Sequence, residues 1–334
     1  MPLSNRQPGR SIRTRAALGV GLLTLALAGC EPQAPPPFVP MQQTVSRVNV
    51  NNMHLGTTAG GLKGSPIEAT VQFREHPDAR PRKERLHGSL RFTKPRDLIL
   101  SLRHGMLGEV MQAGSNEREY WLWVRPEINK LWWGTYAQLA QTAALYTPEA
   151  DTMPLRPEHL IEALGLNDLP DDTSGIYGPV YRPEPERNVL IFLEYDRDGK
   201  AFIWKEYHID RREPFLIREI LFREMDGQIR MHAQLSEYKR VRGALAVAAH
   251  TVRIDWPAAD SWLDLRIRQY TVETDPDMVI QPENPREYGA EFKEAVCVDP
   301  LPELSEEPWP ATTAPASAPT APAAPTLTAP EATP

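Results

Sequence analysis

Between Asn188 and Arg268 the chain alternates apolar and polar residues with a period of two. Ile229, Met231, Ala233 and Leu235 interleave with Arg230, His232, Gln234 and Ser236, and the pattern returns in Val252, Ile254 and Trp256. It returns once more in Leu263, Leu265 and Ile267 against Asp264, Arg266 and Arg268. Successive strand side chains point to opposite faces, so clean alternation marks a strand with one packed face and one wet face. Asp198-Gly199 and Asp226-Gly227 each sit between apolar runs, where glycine supplies the positive φ of a tight hairpin. They predict the pairs Asn188–Tyr195 with Phe202–Ile209, and Phe215–Arg223 with Ile229–Glu237. No helix separates these strands, which excludes βαβ units and predicts an antiparallel sheet.

The first half continues the theme with shorter segments. Strands are expected at Ile67–Arg74, Leu86–Phe92, Asp97–His104, Glu109–Ala113 and Glu119–Arg125, punctuated by Pro95, Gly105, Gly108 and Gly114-Ser115-Asn116. His76–Arg85 reads as a polar, arginine-rich connection, and Asn167–Pro185 as a long loop. Tyr120-Trp121-Leu122-Trp123-Val124 is apolar at every position, and Leu131-Trp132-Trp133 follows it. A strand with a wet face alternates, so something must cover the second face of this one: another part of the chain, or a ligand. Helical segments are expected at Met41–Val50, Tyr136–Leu145 and Arg156–Leu164, the last with Pro157 in its first turn and Gly165 just past its end. The fold class is mainly β (α+β): a curved antiparallel sheet of about eleven strands, capped by two or three helices.

The two ends lie outside that fold. Arg6, Arg10, Arg13 and Arg15 precede an apolar run from Ala16 to Ala28. The run is shorter than the roughly 20 residues a bilayer crossing needs, and a basic segment followed by a short apolar one reads as a secretory signal. Leu27-Ala28-Gly29-Cys30 resembles the lipobox of bacterial lipoproteins. That resemblance implies cleavage before Cys30 and a covalent acyl and diacylglycerol anchor on its sulfur. Glu31 stands where an Asp would favour the inner membrane, so the expected location is the periplasmic face of the outer membrane. Residues 1–29 are therefore signal peptide, 30–40 an acylated cysteine with a proline-rich tether, 41–301 the folded domain, and 302–334 a Pro/Ala/Thr tail unable to bury a core. Loss of residues 1–29 removes four arginines and no acids, so the formal charge moves from −7 to −11. That sign argues against a nucleic-acid partner and against electrostatic adhesion to anionic lipid, leaving the anchor as the means of attachment.

Chemistry-bearing motifs are sparse. Asp196-Arg197-Asp198-Gly199 begins like a calcium loop, but Lys200 and Tyr207 fall where ligands are required. His159 and Glu162 are spaced i, i+3 with no second histidine to complete a metal set, and read as a surface pair. No nucleophile elbow or phosphate-binding glycine loop is present. Cys297 has acidic and apolar neighbours rather than an activating base, so it reads as a structural thiol. The sequence therefore nominates no catalytic residue, metal site or cofactor; a hydrolase is the weakest of the functional classes. What remains is an excess of strand aromatics. Trp121, Trp123, Trp132, Trp133, Phe192, Trp204, Phe215 and Phe222 are the candidate lining of an apolar hollow.

Several stretches resemble the LolA/LolB-like lipoprotein-carrier family: the leading helix, the long meander, Gly114-Ser115-Asn116 with Tyr120–Pro126, and Tyr207–Arg211 with Pro214–Arg218. The resemblance spans roughly residues 41–295. It implies an unclosed half-barrel whose hollow holds acyl chains of lipid or lipoprotein cargo. The anchored Cys30 is topologically closer to LolB than to the soluble shuttle LolA. A structural envelope lipoprotein with a protein partner is the alternative, and a tryptophan-lined hollow of several hundred cubic ångströms would separate the two.

Overall fold

The computed structural model describes residues 37–55, 61–73, 80–125, 129–138, 156–170, 179–196, 199–273, 282–285 and 292–298. Among these described residues fifteen strands join in one sheet. They are β1 (Gly61–Phe73), β2 (Arg82–Thr93), β3 (Asp97–His104), β4 (Gly108–Ser115), β5 (Glu119–Val124), β6 (Lys130–Thr135), β7 (Val180–Pro183), β8 (Arg187–Tyr195), β9 (Ala201–Asp210), β10 (Ile217–Arg223), β11 (Ile229–Arg240), β12 (Val247–Trp256), β13 (Ser261–Ile267), β14 (Tyr270–Glu273) and β15 (Glu294–Cys297). The order across the sheet is β15-β6-β5-β4-β3-β2-β1-β13-β12-β11-β10-β9-β8-β7, with β14 beside β1. Helices α1 (Met41–Met53) and α2 (Pro157–Ala163) contribute buried side chains to the same core as one face of the sheet. This is the mainly β, open and curved architecture that the alternation predicts.

Both Asp-Gly hairpins form as expected. Gly199 has φ +76° and Gly227 φ +86°, and the Asp196 carboxylate accepts from the Lys200 amide at 2.8 Å. The strand count exceeds the expected eleven because β7, β14 and β15 have four residues each, too few to display a period of two. β7 lies within what the sequence presents as the 167–185 loop. The expected 76–85 connection ends early, at Arg82, where β2 pairs with the far end of β1 through Phe73↔Arg82 and Gln72↔Lys83. The strand expected from Phe215 starts instead at Ile217, because Phe215 sits in the preceding turn at φ +57°. One pairing departs from antiparallel: β15 runs parallel to β6. The lipobox, the 302–334 tail and residues 139–145 of the expected second helix lie outside the described residues.

The register assigns every strand residue to a face. Leu62, Leu90, Leu100, Ala113, Leu122 and Trp132 face inward with Leu265, Val252, Ala233, Ile220 and Tyr207, and all belong to the main core. Their neighbours one position away face outward.

Candidate functional site

The inward face is the candidate site. Two helices close over it in different ways. α2 is held by apolar contact, with Leu160 and Ile161 0% and 2% exposed. It also carries a polar pair into the core: Glu162 accepts from Lys205 at 3.0 Å with both carboxylate oxygens and from the Tyr207 hydroxyl at 3.0 Å. Burial and the adjoining Glu162 charge push the Tyr207 hydroxyl well above its ordinary pKa, so it stays protonated and donates. His159 stacks at 4.8 Å from Phe222 and 6.0 Å from Trp204. Burial lowers its pKa, and Arg230, Arg156 and Lys205 lower it further, which keeps the imidazole neutral. The His159–Glu162 pair expected at the surface is thus part of the interior. Lys205 was the available clue: a cation at an inward position of a strand demands a buried carboxylate.

α1 is attached differently. Only Val45 and Val48, with Leu55 just beyond its end, give it buried apolar anchors. Buried Thr44, which accepts from the Asn188 amide of β8 at 3.2 Å, and three asparagine side chains supply polar ties. Asn49 donates to Leu169 O and accepts from Leu169 N, both at 2.7 Å. Asn51 does the same with Val247, at 3.0 and 2.9 Å, and Asn52 donates to Asn167 O at 2.6 Å. The Asn49 and Asn51 amides each mimic a strand neighbour, tying the helix to backbone at Leu169 and at Val247, the first residue of β12. The sequence offers no distinctive signal for this, because an asparagine in a helix usually faces water.

The eight candidate lining residues do not form one set. Trp132, Phe192, Phe215 and Phe222 lie in the inward core, and Trp204 packs against it. Phe192, Trp204 and Phe222 come together beneath α2 around Lys205 and Tyr207. Phe215 sits apart, beside the end of α1. Trp121, Trp123 and Trp133 are on the outer face in a second apolar cluster with Leu131 and Phe292. The cover that the all-apolar strand requires is the chain itself. Phe292 meets Trp123 edge-on at 5.6 Å, Asn116 and Asn284 bridge to Pro282 O and Glu119 at 2.9 and 2.7 Å, and β15 extends the sheet beside β6. Trp121 lies flat over Gly114, where an added Cβ would meet its ring at 2.3 Å.

Two recesses adjoin α1. One is a cavity of about 20 Å³ between the helix end, Phe215, Tyr238 and Val247, room for about one water. The other is an open depression of about 490 Å³ along the outer stripe of α1, lined by Gln42, Ser46, Val50, Met53, Asp168 and Leu169 among others. No tryptophan lines either. Among the described residues no three of His, Cys, Asp or Glu are grouped to hold a metal ion, and no helix is long and apolar enough to cross a membrane. Cys297 is half-buried, its sulfur 3.9 Å from Gln138 Oε1.

Fold and site together define an open antiparallel half-barrel with helices over its inner face. No protein-family model matches the chain, and no curated sequence matches it. Solved structures of similar shape include a domain assigned to outer membrane lipoprotein sorting from Vibrio parahaemolyticus, with TM-score 0.43, 9% identity, and coverage of 73% of this chain and 94% of that one. A LolA superfamily protein from Nitrosomonas europaea gives TM-score 0.39 and 8% identity over 76% and 99% of the two chains. A DUF1329 family protein from Desulfovibrio piger gives 0.42 and 10% over 72% and 93%. Likenesses this distant support no statement about activity.

Proposed function

We propose that this chain is a lipoprotein of the bacterial envelope, acylated at Cys30 and facing the periplasm from the outer membrane, that accommodates acyl chains of lipid or lipoprotein between α1 and the inner face of the sheet. The observation that carries this reading is the manner in which α1 is held. Three apolar anchors and six side-chain hydrogen bonds amount to roughly 10–15 kcal/mol of attachment at about 1.5–3 per buried side chain and about 1 per bond. An acyl chain of about sixteen carbons gains roughly 12 kcal/mol on full burial, at about 0.8 per methylene. The two are comparable, so a chain sliding under α1 could replace it on the Leu- and Ile-lined surface. The expected tryptophan-lined hollow is absent among the described recesses, so ligand binding on this reading is a displacement of α1 and not the filling of a standing cavity.

The packed inner face also favours a second reading, a structural module with a protein partner, since the recess between the end of α1 and Phe215 holds only about 20 Å³. Native mass spectrometry of the Cys30→Ser chain separates the two. A co-purifying lipid mass and saturable uptake of a dansylated fatty acid, faster in Asn51→Ala, are expected for a carrier. An empty protein that takes up no probe refutes it.

A further inference from the structure

The two ends of the sheet both expose apolar side chains, and only one of them can face the anchoring membrane. At the α1 end, Phe38 is 63% exposed, Val50 51%, Met53 54% and Leu245 77%. Leu245 lies in the β11–β12 turn, two residues before the Val247 backbone that Asn51 of α1 holds. Arg47 and Arg242 are exposed beside them, with Glu213 the acid facing Arg47 at 3.8 Å. At the opposite end, Met106 and Leu107 cap the β3–β4 hairpin at 89% and 59% exposure. Exposure alone favours the hairpin.

The tether decides otherwise. Tyr181 of β7 donates its hydroxyl to Val39 O at 2.6 Å, and Phe38 packs edge-on against the same ring at 6.2 Å. The chain is thereby fixed at the start of α1. From Phe38 back to Cys30 are eight residues, a reach of at most about 29 Å even fully extended. The β2–β3 turn at the α1 end is marked by the Lys94–Asp168 ion pair, and β3 runs away from it for eight residues, about 27 Å at ~3.3 Å each. Placing Met106 on the bilayer would consume nearly the whole tether along the strands, before any sideways travel from β7 to β3.

We infer that the α1 end, with Phe38, Val50, Met53 and Leu245, lies against the leaflet that holds the acyl chains of Cys30, so that the depression along α1 opens onto lipid. The inference rests on acylation of Cys30. Such faces settle about 5–10 Å into the headgroup boundary through their apolar side chains.

The test uses the mature acylated chain in vesicles of phosphatidylethanolamine and phosphatidylglycerol, with a fluorophore at Leu245→Cys or Met106→Cys in a Cys297→Ser background. Quenching by nitroxide-labelled lipid should be severalfold stronger at position 245 than at 106. Equal quenching, stronger quenching at 106, or none at either while the protein floats with the vesicles overturns the orientation and leaves the anchor standing. A Cys30→Ser chain that still floats, or an intact chain that does not, overturns the anchor reading and the reach argument with it.

Discussion

The outer face of this sheet carries opposite chemistry on its two wings. On β4–β6 it presents Gly114, Trp121, Trp123, Leu131 and Trp133, with Trp121 and Leu131 fully buried. On β8–β11 the same face presents a charged lattice. Arg223 pairs with Glu206 at 2.6 Å, Arg187 with Glu219 at 3.5 Å, and His208 and His232 approach Glu219 at 3.7 and 3.6 Å. The backbone geometry is the same on both wings, so it does not set the difference. What differs is the cover: Pro282, Asn284 and Phe292 return over the first wing, and the second meets its own charges in ion pairs. A face is apolar where the chain comes back to it, and that return is what turned alternation into an unbroken apolar run.

Two tryptophans on this one face make the sharpest trial. Trp121→Ala should cost about 3–5 kcal/mol in urea unfolding, as for a large buried aromatic, and a loss below about 1 would break the account of a packed outer wing. On the inner face, Glu162→Ala should cost about 3 kcal/mol by the same measurement, since it strands the Lys205 charge with its own cover intact; an unchanged midpoint would mean that Lys205 reaches water. Gly114→Ala sharpens the first result. Its Cβ must displace the Trp121 ring, for about 1–3 kcal/mol, with a changed tryptophan near-ultraviolet dichroism. Trp262→Ala tests the outer face between the wings, on β13: the ring is half-buried and lies against Arg253 at 3.9 Å and Lys83 at 5.4 Å, so about 1 kcal/mol is expected.

The smallest effect is in pH. His159 has its folded pKa depressed by burial and neighbouring cations, so below the ordinary histidine value the unfolded chain binds a proton that the folded chain refuses. Its contribution is therefore present above about pH 6.5 and lost as pH falls through that value. His159→Gln should unfold with a shallower acid-side decline between pH 7.5 and 6.0, a gap of less than about 1 kcal/mol. Parallel curves would place His159 in water.

The inner surface was legible because its physics is local. Ile229 to Leu235 names its own face, since a strand alternates whatever it pairs with, and Asp226-Gly227 names its own turn. Phe192 and Phe222 stand on strands whose turns and alternation assign a face, and both lie in the inward core. Trp121 and Trp123 were not separable from Trp132 in the same way. A strand buried on both faces has no alternation left, so nothing in Tyr120–Val124 says which tryptophan faces which side.

The sequence by itself determined the antiparallel class, the hairpins and the need for a second cover over β5, all of which follow from two-residue periodicity and glycine's backbone freedom. Only the tertiary structure decided what the cover is, that His159 and Glu162 point inward, and that α1 hangs on asparagines. Those are contacts between residues up to 196 positions apart, and no window along the chain can contain both partners.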